Sequence, residues 1–384
     1  MPPLWLPFSL LFLLSHRALC ALVDTSQCKL PAQQSTYLSL GFNYDLDCVA
    51  PTGQLRAFMI FVDFPDAPAT ETPRSLYNVL LPGAADWYAT ASYGRLRLSV
   101  TADTSAFYRM PGRSDSYGWD RDFSEDDHEV YINDAAEAYF DAHPSSSPRS
   151  VDLLYVVPTA RAASIYFSPT YMSEVRTRAV IAKKAVTFGQ DVFTTWGFKT
   201  LNHETGHALC LPDLYPFSSD QTGLYVGGWD VMGLISGPAP DYIAWNKWRL
   251  GWIDDGQVQC VAGGGTTRHV LTPLAVSGGV KAVVVRRNST LALVAEARTR
   301  AGLDGAACAT GVLLYTVSTN VETGEGPVRV LDTRPNSRGC SEDELNDAPL
   351  SLDRTSTYTV PGWGVKVAVV SQTGTSYTIQ VTVP

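Results

Sequence analysis

The sequence predicts an α+β protein in two parts, a mixed part over residues 55–253 and an all-β, sandwich-like part over 254–384. Three observations carry this prediction. Apolar runs of strand length alternate with helical periodicity as far as about residue 253. Beyond it only short β-branched runs occur, punctuated by Gly, Asn and Ser. The chain is also long, about 364 residues once a leader is set aside, which is more than one core comfortably holds.

Taken in order, residues 1–20 read as a secretory signal. The apolar core from Leu4 to Leu14 is too short to span a bilayer, and the small residues Ala18 and Cys20 precede a cut before Ala21. Residues 21–54, polar and carrying Cys28 and Cys48, read as an N-terminal arm or short pro-segment. Residues 55–62 are a short apolar run ending at Phe64-Pro65, hence a buried strand. Residues 86–92 and 130–142 read as helices, and 151–157 as a second central strand. A helix over 198–209 follows, then one over 244–250 that ends near Gly251. Strands are expected at 281–285, 291–297, 311–315, 365–370 and 377–383, the last with Tyr377, Ile379, Val381 and Val383 on one face. Repeated short strands of this kind favour a sandwich.

Chemistry concentrates in His203-Glu204-Thr205-Gly206-His207. Residues four apart on a helix lie on one face, so both imidazoles can reach a single metal ion. Glu204 flanks that face, where a carboxylate can take the proton of an activated water. Phe198, Leu201 and Ala208 form an apolar stripe on the opposite side of the same helix. The pattern H-E-x-x-H arises by chance in about one chain in a hundred of this length, so the motif needs that helical context. Pro212 should end the helix. Asp213, six residues past His207, then sits where a returning chain offers a third ligand. Its bland reading is a helix-end turn aspartate; His128, His143 and His269 are the rival donors. The set points to zinc and hydrolysis, most often of a peptide bond.

Several segments in order carry a resemblance. His203-Glu-x-x-His207 is followed by Leu211-Pro212-Asp213-Leu214-Tyr215 and by Gly228-Trp229-Asp230-Val231-Met232-Gly233. Val62-Asp63-Phe64-Pro65-Asp66, Ser92-Tyr93-Gly94-Arg95-Leu96 and the tryptophan-rich stretch from Ala244 to Trp252 complete the set. Together they resemble the immune-inhibitor-A-type secreted zinc metallopeptidases over about residues 55–320. The resemblance implies a zincin-like catalytic domain with an active-site helix, zinc on His203, His207 and Asp213, Glu204 as general base, and Met232 in a turn beneath the metal. One departure stands out: the glycine usual three residues after the second histidine is Cys210, which takes a left-handed backbone only at a cost.

Composition bounds the rest. The formal charge of −9 becomes −10 without residues 1–20, which hold Arg17 and no acid. An acidic chain argues against nucleic acid or anionic membrane as partner. No later apolar stretch suits a membrane span or lipid tail, so a soluble secreted monomer acting on proteins or peptides is expected. Cys28, Cys48, Cys210, Cys260, Cys308 and Cys340 remain, an even number that suggests disulfides in an exported chain. Short loops favour Cys28–Cys48 and Cys308–Cys340, leaving Cys210–Cys260 by elimination. Asn288-Ser289-Thr290 is a glycosylation sequon, or else an unmodified turn. The acidic run 120–127 raises calcium, but without a known loop spacing it reads as a solvated charge run.

The expected activity is therefore that of a secreted zinc endopeptidase, with Tyr215 and Tyr242 as candidate second donors. The competing reading is a catalytically silent binding module on the same scaffold, which Cys210 alone encourages. Residues 21–54 also raise latency: the arm lies across the cleft, or Cys28 or Cys48 gives a thiolate to zinc, or the arm simply packs on the domain.

Overall fold

The structure, a computed structural model, describes residues 21–44, 47–120, 123–340 and 343–384, so the signal expected at 1–20 lies outside the described residues. It is a mixed α/β fold with few helices and three β-sheets. The arm opens with β1 (Ala21–Val23). Seven strands build the next sheet: β2 (Gly53–Asp63), β3 (Leu96–Ala102), β4 (Tyr108–Arg109), β5 (Arg149–Pro158), β6 (Thr170–Tyr171), β7 (Val175–Arg176) and β8 (Val180–Thr187). Around them lie α1 (Pro73–Leu80), α2 (Gly83–Ala91), α3 (Glu125–Ala142) and α4 (Phe198–Ala208), and α5 (Ala244–Arg249) follows. The remaining strands are β9 (Val258–Ala262), β10 (Gly265–Leu271), β11 (Ala282–Arg286), β12 (Leu291–Arg298), β13 (Gly311–Ser318), β14 (Val328–Val330), β15 (Thr357–Thr359), β16 (Lys366–Thr373) and β17 (Ser376–Val383).

The seven-stranded sheet has the order β3-β2-β5-β8-β6, with β4 beside β2 and β7 beside β8. β3, β2, β5 and β8 run parallel, and β6 runs antiparallel to β8. Parallel neighbours need crossovers; α1 and α2 lie between β2 and β3 in the chain and α3 between β3 and β5, whereas the segment from β5 to β8 carries β6 and β7 and no helix. A strand covered on both faces reads as a continuous apolar run, and β2 is such a strand. Its Phe58, Ile60 and Val62 pack with Tyr131, Ile132 and Tyr139 of α3. Its Ala57, Met59 and Phe61 join Trp87, Tyr88 and Leu201 on the other face.

Helix α3 begins five residues before its apolar periodicity does. Ser124 caps it by accepting the Asp127 N–H, and Glu125, Asp126 and Asp127 fill the first turn, where the helix dipole favours negative charge. Much of the run weighed for calcium thus opens a helix; Arg121 and Asp122 lie outside the described residues.

The later strands, joined by β1 of the arm, form two sheets, β1-β9-β11-β12-β13-β14 and β10-β17-β16-β15. Val283, Val285, Leu293 and Ala295 of the first share a core with Val367, Val369, Ile379 and Val381 of the second. Alternate residues Val284, Val294, Leu313 and Tyr315 instead join the core that holds α4 and α5. Buried charges cross the same boundary. Arg298 donates to Glu296 and Asp304 at 2.8 Å each and to the carbonyl oxygens of Trp229 and Ala239.

Cysteine pairing corrects two expectations. Cys308–Cys340 forms as expected, but Cys28 bonds Cys260 and Cys48 bonds Cys210. The cause is where the arm is anchored. β1 pairs with β9, Val23 opposite Cys260, and this brings Cys28 to β9. Farther on, the Val49 N–H donates to Ala208 O at the end of α4, which brings Cys48 to Cys210. With both arm cysteines bonded, neither is a thiolate ligand. Among the described residues no helix is long and apolar enough to cross a membrane. Asn288 lies exposed in the bend between β11 and β12.

Candidate metal centre

Helix α4 follows Gly197, whose φ of 58° suits glycine, and it is buried nearly all round rather than on one face. It ends at Ala208, four residues before Pro212. Cys210 takes the left-handed position with φ 61°. Its N–H donates to His207 O and that of Leu211 to Gly206 O, the Schellman pattern usually completed by glycine. The chain is thereby turned back, and Asp213 faces the two histidines.

His203 and His207 have ring centroids 4.9 Å apart with planes at 90°. His203 Nδ1 lies 2.8 Å from Val231 O, and His207 Nδ1 2.8 Å from Leu211 O. Carbonyl oxygens only accept, so each Nδ1 carries the hydrogen and each Nε2 is turned to a common point. Asp213 Oδ1 sits there, 3.1 Å from His203 Nε2 and 3.2 Å from His207 Nε2. That oxygen is buried and accepts no hydrogen bond while both Nε2 atoms are unprotonated. Two lone pairs facing a carboxylate oxygen at this range repel unless protons or a cation lie between them. The donor atoms of His203, Glu204 and His207 also lie within 4.8 Å of one another, a spacing that can hold a metal ion.

Glu204 is held from one side. The Thr170 hydroxyl on β6 is 2.8 Å from Oε2, while Oε1 lies 4.0 Å from His203 Nε2. Burial raises the Glu204 pKa to about 7, against the lowering influence of both histidines and the Thr170 hydroxyl. Burial works the same way on Asp213, but His207 and His203, when protonated, hold its carboxyl far below the usual range by charge and hydrogen bond. For His207, burial opposes the charge and Asp213 outweighs it, lifting the pKa to about 9.

Support for the rings comes from beneath. Asp230 accepts from the Met232 N–H at 2.8 Å and the Ile243 N–H at 2.9 Å, fixing the turn whose Val231 carbonyl holds His203. A Cβ at Gly206 would lie 2.5 Å from Met232 Sδ and 2.7 Å from the Tyr242 hydroxyl, so this helix approaches that turn only with glycine at the contact.

The rival donors are engaged elsewhere. His128 Nε2 pairs with Thr187 Oγ1, His143 Nδ1 with Tyr139 O, and His269 with Thr267 and Gln259. Tyr242 is fully buried under α4, within hydrogen-bond distance of Asn202 O and Tyr88. Tyr215 instead lines the cleft, and burial followed by the Asp213 and Glu204 charges raises its pKa. The cleft has a volume of about 330 Å³ and is walled by Tyr37, Phe167, Met172, Tyr215, Phe217 and Thr323 beside the donor set. A larger cavity of about 860 Å³ adjoins it and shares Tyr37, Phe167, Met172, Tyr215 and Phe217. Sequence reasoning missed Thr170 and Thr323. Each meets the site across a long stretch of chain, and no local spacing signals either.

No protein-family model matches the chain, and no curated protein matches it.

Proposed function

We propose that this chain is a secreted zinc-dependent endopeptidase of the immune-inhibitor-A type, with a zincin-like catalytic part and an all-β part behind it. The observation that carries the reading is Asp213 Oδ1, buried and aimed at two imidazole Nε2 atoms 3.1 and 3.2 Å away. Zinc bonds of about 2.0–2.1 Å at tetrahedral angles would separate neighbouring donors by about 3.3 Å, close to those spacings. Two neutral imidazoles and a carboxylate are also the ligand types that zinc takes.

His203, His207 and Asp213 would hold the ion, which when bound supplies a Lewis acid for the scissile carbonyl and lowers the pKa of water. Glu204 takes the proton of the attacking water at Oε1, since Oε2 is occupied by Thr170. The same carboxyl then delivers that proton to the departing nitrogen. β6, the end strand of its sheet, runs beside the cleft, and an extended peptide suits such an edge. Three disulfides fit an oxidising compartment and hence secretion.

The binding-module reading drew on Cys210 alone. Cys210 is bonded to Cys48 and adopts the left-handed turn that glycine would, so the departure leaves the helix end intact. Glu204→Gln tests the proposal. The variant is expected to bind zinc as the wild type does and to lose about 10²–10⁴-fold in casein turnover. Near wild-type turnover would sink the assignment of Glu204.

A further inference from the structure

Residues 209–217, which carry Asp213, form neither helix nor strand. Their backbone must therefore find partners elsewhere, because an unpaired buried N–H or carbonyl is costly. Leu214 N–H donates to Met232 O at 2.8 Å. Both backbone groups of Asp213 go to one distant loop, residues 319–327 between β13 and β14. The Asp213 N–H donates to Thr323 Oγ1 at 2.9 Å, and the Gly324 N–H donates to Asp213 O at 3.2 Å.

The loop is itself fixed to the cleft. Phe217 N–H donates to Gly324 O at 3.0 Å, and Gly324 has φ +73° with the Phe217 ring 2.3 Å from where a Cβ would lie. Glu322 Oε2 accepts the Tyr37 N–H at 2.9 Å, and the Thr319 carbonyl accepts the Ser39 hydroxyl at 2.7 Å. Arm, third-ligand turn and β-sheet loop thus meet at one point.

We infer that Thr323, from the all-β part, is the positioning residue for the third metal ligand: its hydroxyl fixes the Asp213 backbone and so aims Oδ1 at the two histidines. This rests on the proposed metal site. The carboxylate has two rotatable bonds beyond a backbone that no ladder holds, so its direction depends on how that backbone is anchored, and the Thr323 hydroxyl is the shorter of the two anchors on Asp213 itself. Outer partners of a ligand typically change metal affinity by about 10–100-fold when removed. The β part is then a component of the metal centre and not a separable appendage.

Zinc affinity of the full chain, measured by competition with a chelator of known affinity, tests this without reference to activity. Thr323→Val keeps the shape and removes the acceptor, so affinity should fall about 10–100-fold, while Thr323→Ser should hold within about twofold. In an Asp213→Ala background, Thr323→Val should cause no further loss, because it acts through that carboxylate. Ile379→Val, a mild core truncation in β17, controls for general destabilisation and should leave affinity unchanged. Equal affinity of folded Thr323→Val and wild type overturns the inference, as does a full additive loss in the double variant. If Thr323→Val does not fold, amide exchange of wild-type Asp213 decides: strong protection supports the clamp, and free exchange overturns it. An unchanged affinity in Asp213→Ala, with affinity lost in His203→Ala, overturns the ligand set itself. A wild type that binds no zinc overturns the functional reading and this inference together.

Discussion

At the scale of single residues, spacing carried most of the site. His203 and His207 four apart, and Asp213 six farther on, were legible because helix geometry and a proline stop convert short separations into directions. Thr170 on Glu204 and Thr323 on Asp213 were not, since a hydroxyl brought in by the tertiary fold leaves no local pattern. The same holds for His128, which spacing offered only as a rival ligand. Its ring is 4% exposed, on Thr187 Oγ1, and burial holds its pKa down to about 3. The folded value lies below the unfolded value of about 6.5, so its stabilising contribution is complete above 6.5 and is lost as pH falls toward 3. The loss approaches about 1.4 kcal/mol per pH unit. Urea unfolding at pH 7 and pH 4.5 should therefore show a difference smaller by about 2–3 kcal/mol in His128→Gln than in wild type. Equal differences in the two proteins would remove His128 as an acid-sensitive point.

Among the elements, α4 was legible as a helix but not in its surroundings. An apolar stripe of Phe198, Leu201 and Ala208 suggests one buried face, yet Thr200 through Gly206 are buried as well. The difference arises because the turn at 229–233 and Tyr242 cover the polar side, an arrangement made by chain that lies more than 20 residues downstream. Gly206 is where they touch. Gly206→Ala would press a methyl against Met232 and Tyr242, both fully buried, at a cost of about 1–3 kcal/mol. Because the strain falls between the two histidines, zinc affinity should drop with it. Thermal unfolding and chelator competition measure both quantities, and an unchanged pair of values would mean that the contact is not as close as described. The helix end was misjudged for a related reason. Pro212 is a strong stop, but Cys210 stops the helix first, with its φ of 61° and its bond to Cys48.

At the level of the whole molecule, β11, β12, β13, β16 and β17 were readable one by one, because side-chain period and β-branched content report each element directly. How the parts meet was not readable. One core includes Leu30, Leu40 and Val49 of the arm, Leu201 of α4, and Val284, Leu313 and Tyr315 of the later sheet. Apolar residues look alike whether they face their own part or the next one. Cysteine pairing failed on the same ground: short loops favoured Cys28–Cys48, whereas the arm runs between two anchors and bonds at each. The arm is accordingly part of the folded body, with Tyr37 and Leu38 at the edge of the cleft. The account stands or falls on whether that cleft is a metal-dependent hydrolytic site. The most direct measurement is casein cleavage by the purified protein before chelation, after chelation, and after zinc is restored. Cleavage that stops on chelation and returns with zinc is the predicted result. Folded protein that never cleaves casein, or cleaves it equally well after its metal is stripped, would contradict it.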